Sequence, residues 1–129
     1  MLLPITREKA ELIEVVRIAD PIRHFGSEDL TGDEVALWEA PRTDRILALI
    51  DDLPDSELHR CFSPGWGIRV HGADGLLLQL AFCFSCHGIR LWGPGVPDEQ
   101  EGLHGFDPDS APARELLQRF RDAGSAEAG

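Results

Sequence analysis

The sequence predicts an α+β fold: an antiparallel sheet of about four or five strands with a central three-stranded meander, and two to three helices packed on it. Three observations predict it. Residues 66–92 hold three strand-like runs, Trp66 to His71, Leu76 to Phe84 and Ile89 to Trp92, separated by glycine-containing turns. Ile46, Leu47, Leu49, Ile50 and Leu53 recur at helical spacing, and so do Leu116, Leu117 and Phe120. At 129 residues and 43% hydrophobic content, the chain suits one core and a single domain over 1–129.

From the N-terminus, Thr6 is read as the cap of a short helix over Arg7-Glu8-Lys9-Ala10. It feeds a strand over Leu12 to Ile18, where β-branched residues dominate. Asp20-Pro21 ends that strand, because proline restricts the preceding residue and lacks a backbone donor. Residues 21–33 read as a loop, and Glu34 to Trp38 as a second strand. Pro41 opens a helix that ends near Pro54. After the meander, residues 93–105 combine Gly, Pro, Asp and Glu with little periodicity and read as a surface loop. Ser110 caps the last helix, with Glu115 in its early turns, and residues 124–129 form a small-residue tail expected to fray.

Composition narrows the function classes. The net charge of −11 opposes nucleic-acid backbones and anionic membranes, both of which call for a Lys/Arg surface. It reads first as a solvated surface and second as the mark of a basic protein partner. No apolar run approaches the roughly 20 residues that a bilayer span needs. The first residues show no basic start, long apolar segment and small-residue cleavage site, so the expected location is cytoplasmic. There, free thiols or a metal are expected before disulfides for Cys61, Cys83 and Cys86. Oligomeric state is not legible.

The chemistry-bearing motif is Cys83-Phe84-Ser85-Cys86-His87-Gly88, at the end of a strand and in the turn to the next. Two thiolates at this spacing, followed by glycine, resemble a zinc knuckle, whose chain folds around one ion. A structural zinc takes four ligands. A two-residue turn at Asp74-Gly75 sets residue 63 opposite residue 86, whereas a four-residue turn over 72–75 sets Cys61 there. Cys61 thus approaches the pair in either register, and His59, His87 or His71 supplies the fourth donor, His59 first. The candidate metal site is therefore Cys61, Cys83, Cys86 and His59, with zinc as the candidate cofactor. Plain buried thiols packed beside Leu80, Phe82 and Phe84 are the leading reading, ahead of this metal site and of a redox-active or disulfide-forming pair.

C-x-x-C-H is also the haem attachment pattern, but here it ends an apolar strand, and Met1 is the only methionine to serve as a distal ligand. A thioredoxin-like dithiol would place the pair at a helix N-terminus, which a turn between strands does not offer. There is no G-x-G-x-x-G after a strand, no G-K-[ST], no G-x-S-x-G and no H-E-x-x-H. The carboxylates Asp51, Asp52, Asp55 and Glu57 lack the pattern of a calcium loop and read as a solvated helix end. Trp38, Trp66 and Trp92 read as core residues before pocket residues.

Arg60-Cys61-Phe62-Ser63-Pro64-Gly65-Trp66-Gly67-Ile68-Arg69, then Cys83-Phe84-x-Cys86, then Phe106-Asp107-x-Asp109-Ser110, resembles a group of small bacterial proteins with no established activity. These carry R-C-[FH]-x-P-x-x-G-[IL]-R followed by C-[FW]-x-C, and the resemblance covers roughly residues 42–120. It implies that Cys61, Cys83 and Cys86 belong to one constellation. It also implies that His87, where related sequences often differ, and His59, outside the pattern, are weaker ligands.

The expected function is that of a non-catalytic interaction domain, such as an immunity-type or regulatory protein that binds a basic partner. The alternative is a zinc or thiol-redox protein built on the three cysteines. An enzyme with a site between the meander and residues 93–105 is a third, weaker reading.

Overall fold

The computed structural model describes residues 1–18, 30, 32–58 and 64–128, the last three of these by their backbone alone. Six strands and two helices are built: β1 (Leu12–Ile18), β2 (Gly32–Glu39), α1 (Arg42–Asp51), β3 (Trp66–Gly72), β4 (Gly75–Cys83), β5 (Gly88–Trp92), β6 (Gly102–Gly105) and α2 (Ala111–Ala128). Short 3-10 turns at Arg7–Lys9 and Asp98–Gln100 complete them. The strands form one sheet in the order β2-β1-β3-β4-β5-β6, each pair antiparallel.

This corrects the expected four or five strands to six. The additional strand is β6, inside the expected surface loop, where Gly88 to Leu91 pair with Gly105 to Gly102. Only Leu103 and His104 lie between its two glycines, so the strand is held by backbone pairing and offers no alternating apolar pattern. The first expected helix is a single 3-10 turn, and Thr6 makes no side-chain cap bond there. Ser110 stands directly before α2, where its carbonyl accepts from the Arg114 amide at 3.0 Å and its hydroxyl donates to the Asp107 carbonyl at 2.7 Å. Helix α2 runs on through the segment expected to fray, and Gly124 is buried against the Trp66 ring.

Both helices lie on one face. Ile46, Leu47, Leu49 and Ile50 of α1 and Ala113, Leu116, Phe120 and Ala123 of α2 meet Ile13, Val15, Ile68, Val70, Leu78, Leu80, Phe82, Ile89 and Leu91 of the sheet in one cluster. The strand residues in that set alternate, as the period of two along a strand requires. The helices are also tied at the surface by Arg45, whose guanidinium donates twice to the Glu115 carboxylate, at 3.0 and 2.6 Å. That bond draws the half-buried Glu115 carboxyl below its ordinary pKa.

Past the end of β6, Asp55 bridges to Phe106 and the Ser56 amide donates to the Gly105 carbonyl at 3.3 Å. A Cβ at Gly105 would stand 1.9 Å from the Ser56 carbonyl oxygen, a backbone atom with no rotamer to yield. Gly105→Ala is expected to lower stability by about 1–3 kcal/mol in denaturant unfolding; an unchanged midpoint would contradict this packing.

Candidate functional site

The chemistry-bearing side chains gather on the sheet face away from the helices. Val16, Ile18, Leu30, Ala81, Cys83, Cys86 and Trp92 form a second buried cluster there, separate from the helix-side core. Strand alternation explains the split. Val15 and Val16, Phe82 and Cys83, and Leu91 and Trp92 are neighbours in sequence that point to opposite faces.

Cys83 closes β4, and Phe84 to His87 turn the chain into β5, with Cys83 paired to Gly88. His87 takes φ +56°, the left-handed conformation that reverses the chain, and its carbonyl accepts from the Phe106 amide at 3.0 Å. This turn sets the Cys83 and Cys86 Cα atoms 5.2 Å apart, within disulfide range, and their sulfurs are bonded at 2.20 Å. The sequence expectation put free thiols or a metal ahead of a disulfide; for this pair the structure shows the bond. Cys83 is 2% and Cys86 6% exposed, whereas Ser85 between them is exposed. The Ser85 hydroxyl lies 3.5 Å from the Cys83 sulfur and 3.9 Å from that of Cys86. Beyond Cys83, its sheet row continues through Gly88 and Gly105, which carry no side chains.

The metal reading fares differently for each residue. Cys83 and Cys86 are together but spend their sulfurs on each other; zinc at about 2.3 Å from both needs them reduced and apart. His59 and Cys61 lie outside the described residues. The register of β3 on β4 falls between the two expected ones. Gly72 pairs with Gly75, and a shift between Val70 and His71 then sets Trp66 opposite Phe82. The Gly65 amide donates to the Phe82 carbonyl at 3.1 Å, which continues the β3–β4 pairing by one residue. His71 does not join the cysteines. It pairs with Leu76, seven residues before Cys83 and so about 23 Å along β4. Among the described residues, no group of three or more His, Cys, Asp or Glu side chains is placed to hold a metal ion.

His71 belongs instead to a polar network that sequence reading missed. Its Nε2 lies 2.5 Å from Glu14 Oε1, and Arg69 Nη1 donates to Glu14 Oε2 at 3.2 Å. Arg69 also donates to the Leu30 carbonyl, and the Leu30 amide donates to Gln79 Oε1 at 3.3 Å. Cross-strand pairing builds this row, with Glu14 opposite Arg69, Arg69 opposite Gln79, and Gln79 opposite Trp92. Leu30 is thereby held by both its backbone groups, and its side chain seats over Gly67, where a Cβ would stand 2.6 Å from Leu30 Cδ1. Arg90 stacks on Trp92 at 4.3 Å. Burial pushes its guanidinium below its ordinary pKa, opposed by the Glu101 charge.

The face thus presents a buried disulfide at the β4–β5 turn, an apolar patch around Leu30, and an ion-paired row beyond it. Thiol–disulfide exchange at Cys83 and Cys86 is the chemistry this arrangement can perform. Among the described residues, no helix is long and apolar enough to cross a membrane. No known protein family, curated protein or solved structure matches this chain.

Proposed function

We propose that this chain is a thiol-dependent protein whose Cys83 and Cys86 pass between a disulfide and a dithiol. The single observation that carries the reading is the bonded Cys83–Cys86 pair within a turn whose exposed residue, Ser85, touches both sulfurs. An incoming thiolate attacks the sulfur of Cys86, the less deeply buried of the two residues, and Cys83 leaves as a thiolate toward which the Ser85 hydroxyl can donate. A second thiol of the reductant then releases the mixed disulfide. Two electrons enter the pair and the reductant leaves as a disulfide. Cys61, with His59, is the proposed neighbour of the same cluster, as a third thiol or, in the reduced chain, as further zinc ligands. A reducing compartment such as the cytoplasm is the proposed setting.

The test is a thiol count on protein purified without reductant, unfolded and alkylated, with and without a strong chelator. Of the three cysteines, two are bonded, so one free thiol per chain is expected, unchanged by the chelator. Three thiols unmasked only by chelation, with about one zinc per chain, would replace the disulfide reading with the metal one.

A second reading, a non-catalytic interaction domain that binds a basic protein partner, is favoured by a specific feature of the surface. Among the described residues, strand β2 is the outer strand on its side of the sheet; it carries exposed Asp33, Glu34 and Glu39, and Leu37 beside them is 54% exposed. An immunity-type or regulatory role fits this reading. A stable complex with a basic protein recovered from the native host supports it; a tagged chain that consistently recovers none counts against it.

A further inference from the structure

Among the described residues, β2 pairs on one side only, and it is long for an edge strand. It is the outermost strand on its side of the sheet, runs for eight residues, and leaves the amide and carbonyl groups of alternate residues directed away from β1. The register against β1 shifts between Val15 and Val16, so that Val15 pairs with Ala36 and Val16 with Glu34. Val35 is therefore the bulged residue, and Ala36 to Glu39 is the regular stretch beyond it.

The two faces of this stretch differ in chemistry. Trp38 and Ala36 face the helix side, where Trp38 stacks on Phe120 at 6.0 Å. A groove of about 300 Å³ opens there, lined by Val35, Ala36 and Trp38 of the strand and by Arg119, Asp122 and Ala123 of α2. On the other face, Leu37 lies opposite Glu14 and Glu39 opposite Leu12, while Glu34 lies opposite Val16. That face of the edge is acidic at both ends and apolar between. Arg119 is committed to Glu115 at 3.1 Å, which leaves Arg42 as the remaining cation among the described groove residues.

From this we infer that the β2 edge is a docking site for an extended segment of a protein partner, added as a further antiparallel strand, in which basic and apolar residues alternate. Its basic side chains lie beside Glu34 and Glu39, and its apolar ones enter the groove over Ala36 and Trp38. The inference deepens the interaction reading and rests on it. Charge argues against a second copy as the occupant. A second copy would bring another chain of net charge −11, with the same Asp33, Glu34 and Glu39, against an edge that is already acidic. A basic strand meets attraction at the same positions.

The experiment uses the full chain and a synthetic octapeptide of alternating lysine and valine, acetylated and amidated at its ends, with binding followed by amide chemical shifts. Saturable shifts confined to Gly32–Glu39 and the Ala123 region are expected, with no binding of the glutamate–valine counterpart. A chain carrying Glu34→Lys and Glu39→Lys is expected to bind the lysine peptide about tenfold more weakly. Both positions are exposed, and unchanged shifts in β3 to β5 verify that the variant folds. Absence of shifts, shifts elsewhere, equal binding of the acidic peptide, or a β2 edge already occupied by a second copy would overturn the inference. A basic host partner that binds the doubly substituted chain as tightly as the native one would overturn the edge while leaving the interaction reading standing.

Discussion

Phe120→Ala is expected to lower stability by about 3–5 kcal/mol, the largest effect of any single substitution considered. Phe120 is fully buried, and its ring lies 6.0 Å from Trp38, 5.6 Å from Trp66, 5.3 Å from Phe82 and 6.2 Å from Phe84. One side chain thus joins α2 to rings from β2, β3, β4 and the β4–β5 turn. Rings on separate elements cannot close together on the void without moving those elements, so collapse is limited and the cavity cost remains. A domain of this size has about 5–15 kcal/mol to lose, so the variant is expected near the edge of unfolding at 25 °C. Urea titration with an unchanged slope and a lowered midpoint would show it; a loss below about 1 kcal/mol would mean that the aromatic cluster is not the core of the fold.

Leu30→Ala is expected to cost about 2–5 kcal/mol, and its second consequence bears on function. Leu30 is fully buried although it is followed by only one residue before β2 and belongs to neither strand. Glycine at position 67 opens the slot that it fills, and the Arg69 and Gln79 side chains hold its backbone. The same apolar patch contains Cys83 and Cys86. Truncating Leu30 uncovers that patch, so reduction of the disulfide by an external dithiol is expected to run at least about tenfold faster, the factor that 1.4 kcal/mol of easier opening supplies. A destabilised variant whose disulfide is reduced at the native rate would separate the patch from the cysteines.

Most of the sheet was legible because its signals are local. Leu12 to Ile18 and the meander show strand composition over five to nine residues, and α1 and α2 show helical spacing of Ile46 to Leu53 and of Leu116 to Phe120. What was not legible depends on contacts far apart in sequence. Strand β6 has glycine at each end and no apolar alternation, so only pairing with β5 reveals it. The single-residue shift at Val70/His71 decides the register of the hairpin, and nothing in the turn sequence encodes it. The row of Glu14, Arg69 and Gln79 spans three strands, which no window along the chain brings together.

The candidate site divides in the same way. The C-x-x-C spacing and the glycine after it were enough to bring Cys83 and Cys86 into view as a pair, because four consecutive residues in a turn fix their separation. Their bonded state and their place in the buried cluster that includes Leu30 came from the fold. His71, considered as a ligand from its residue type alone, is carried by β3 to the far end of the hairpin and engaged by Glu14. For His59 and Cys61, the expectation rests on sequence.

The most direct measurement of the central claim is a redox titration of the native chain in thiol–disulfide buffers, with alkylation and mass readout of Cys83 and Cys86. A single reversible two-electron transition between roughly −270 and −180 mV, where cellular dithiol couples operate, is the predicted result. A pair that stays closed at the reducing end of that range, or that never closes at the oxidising end, would contradict a thiol-dependent function.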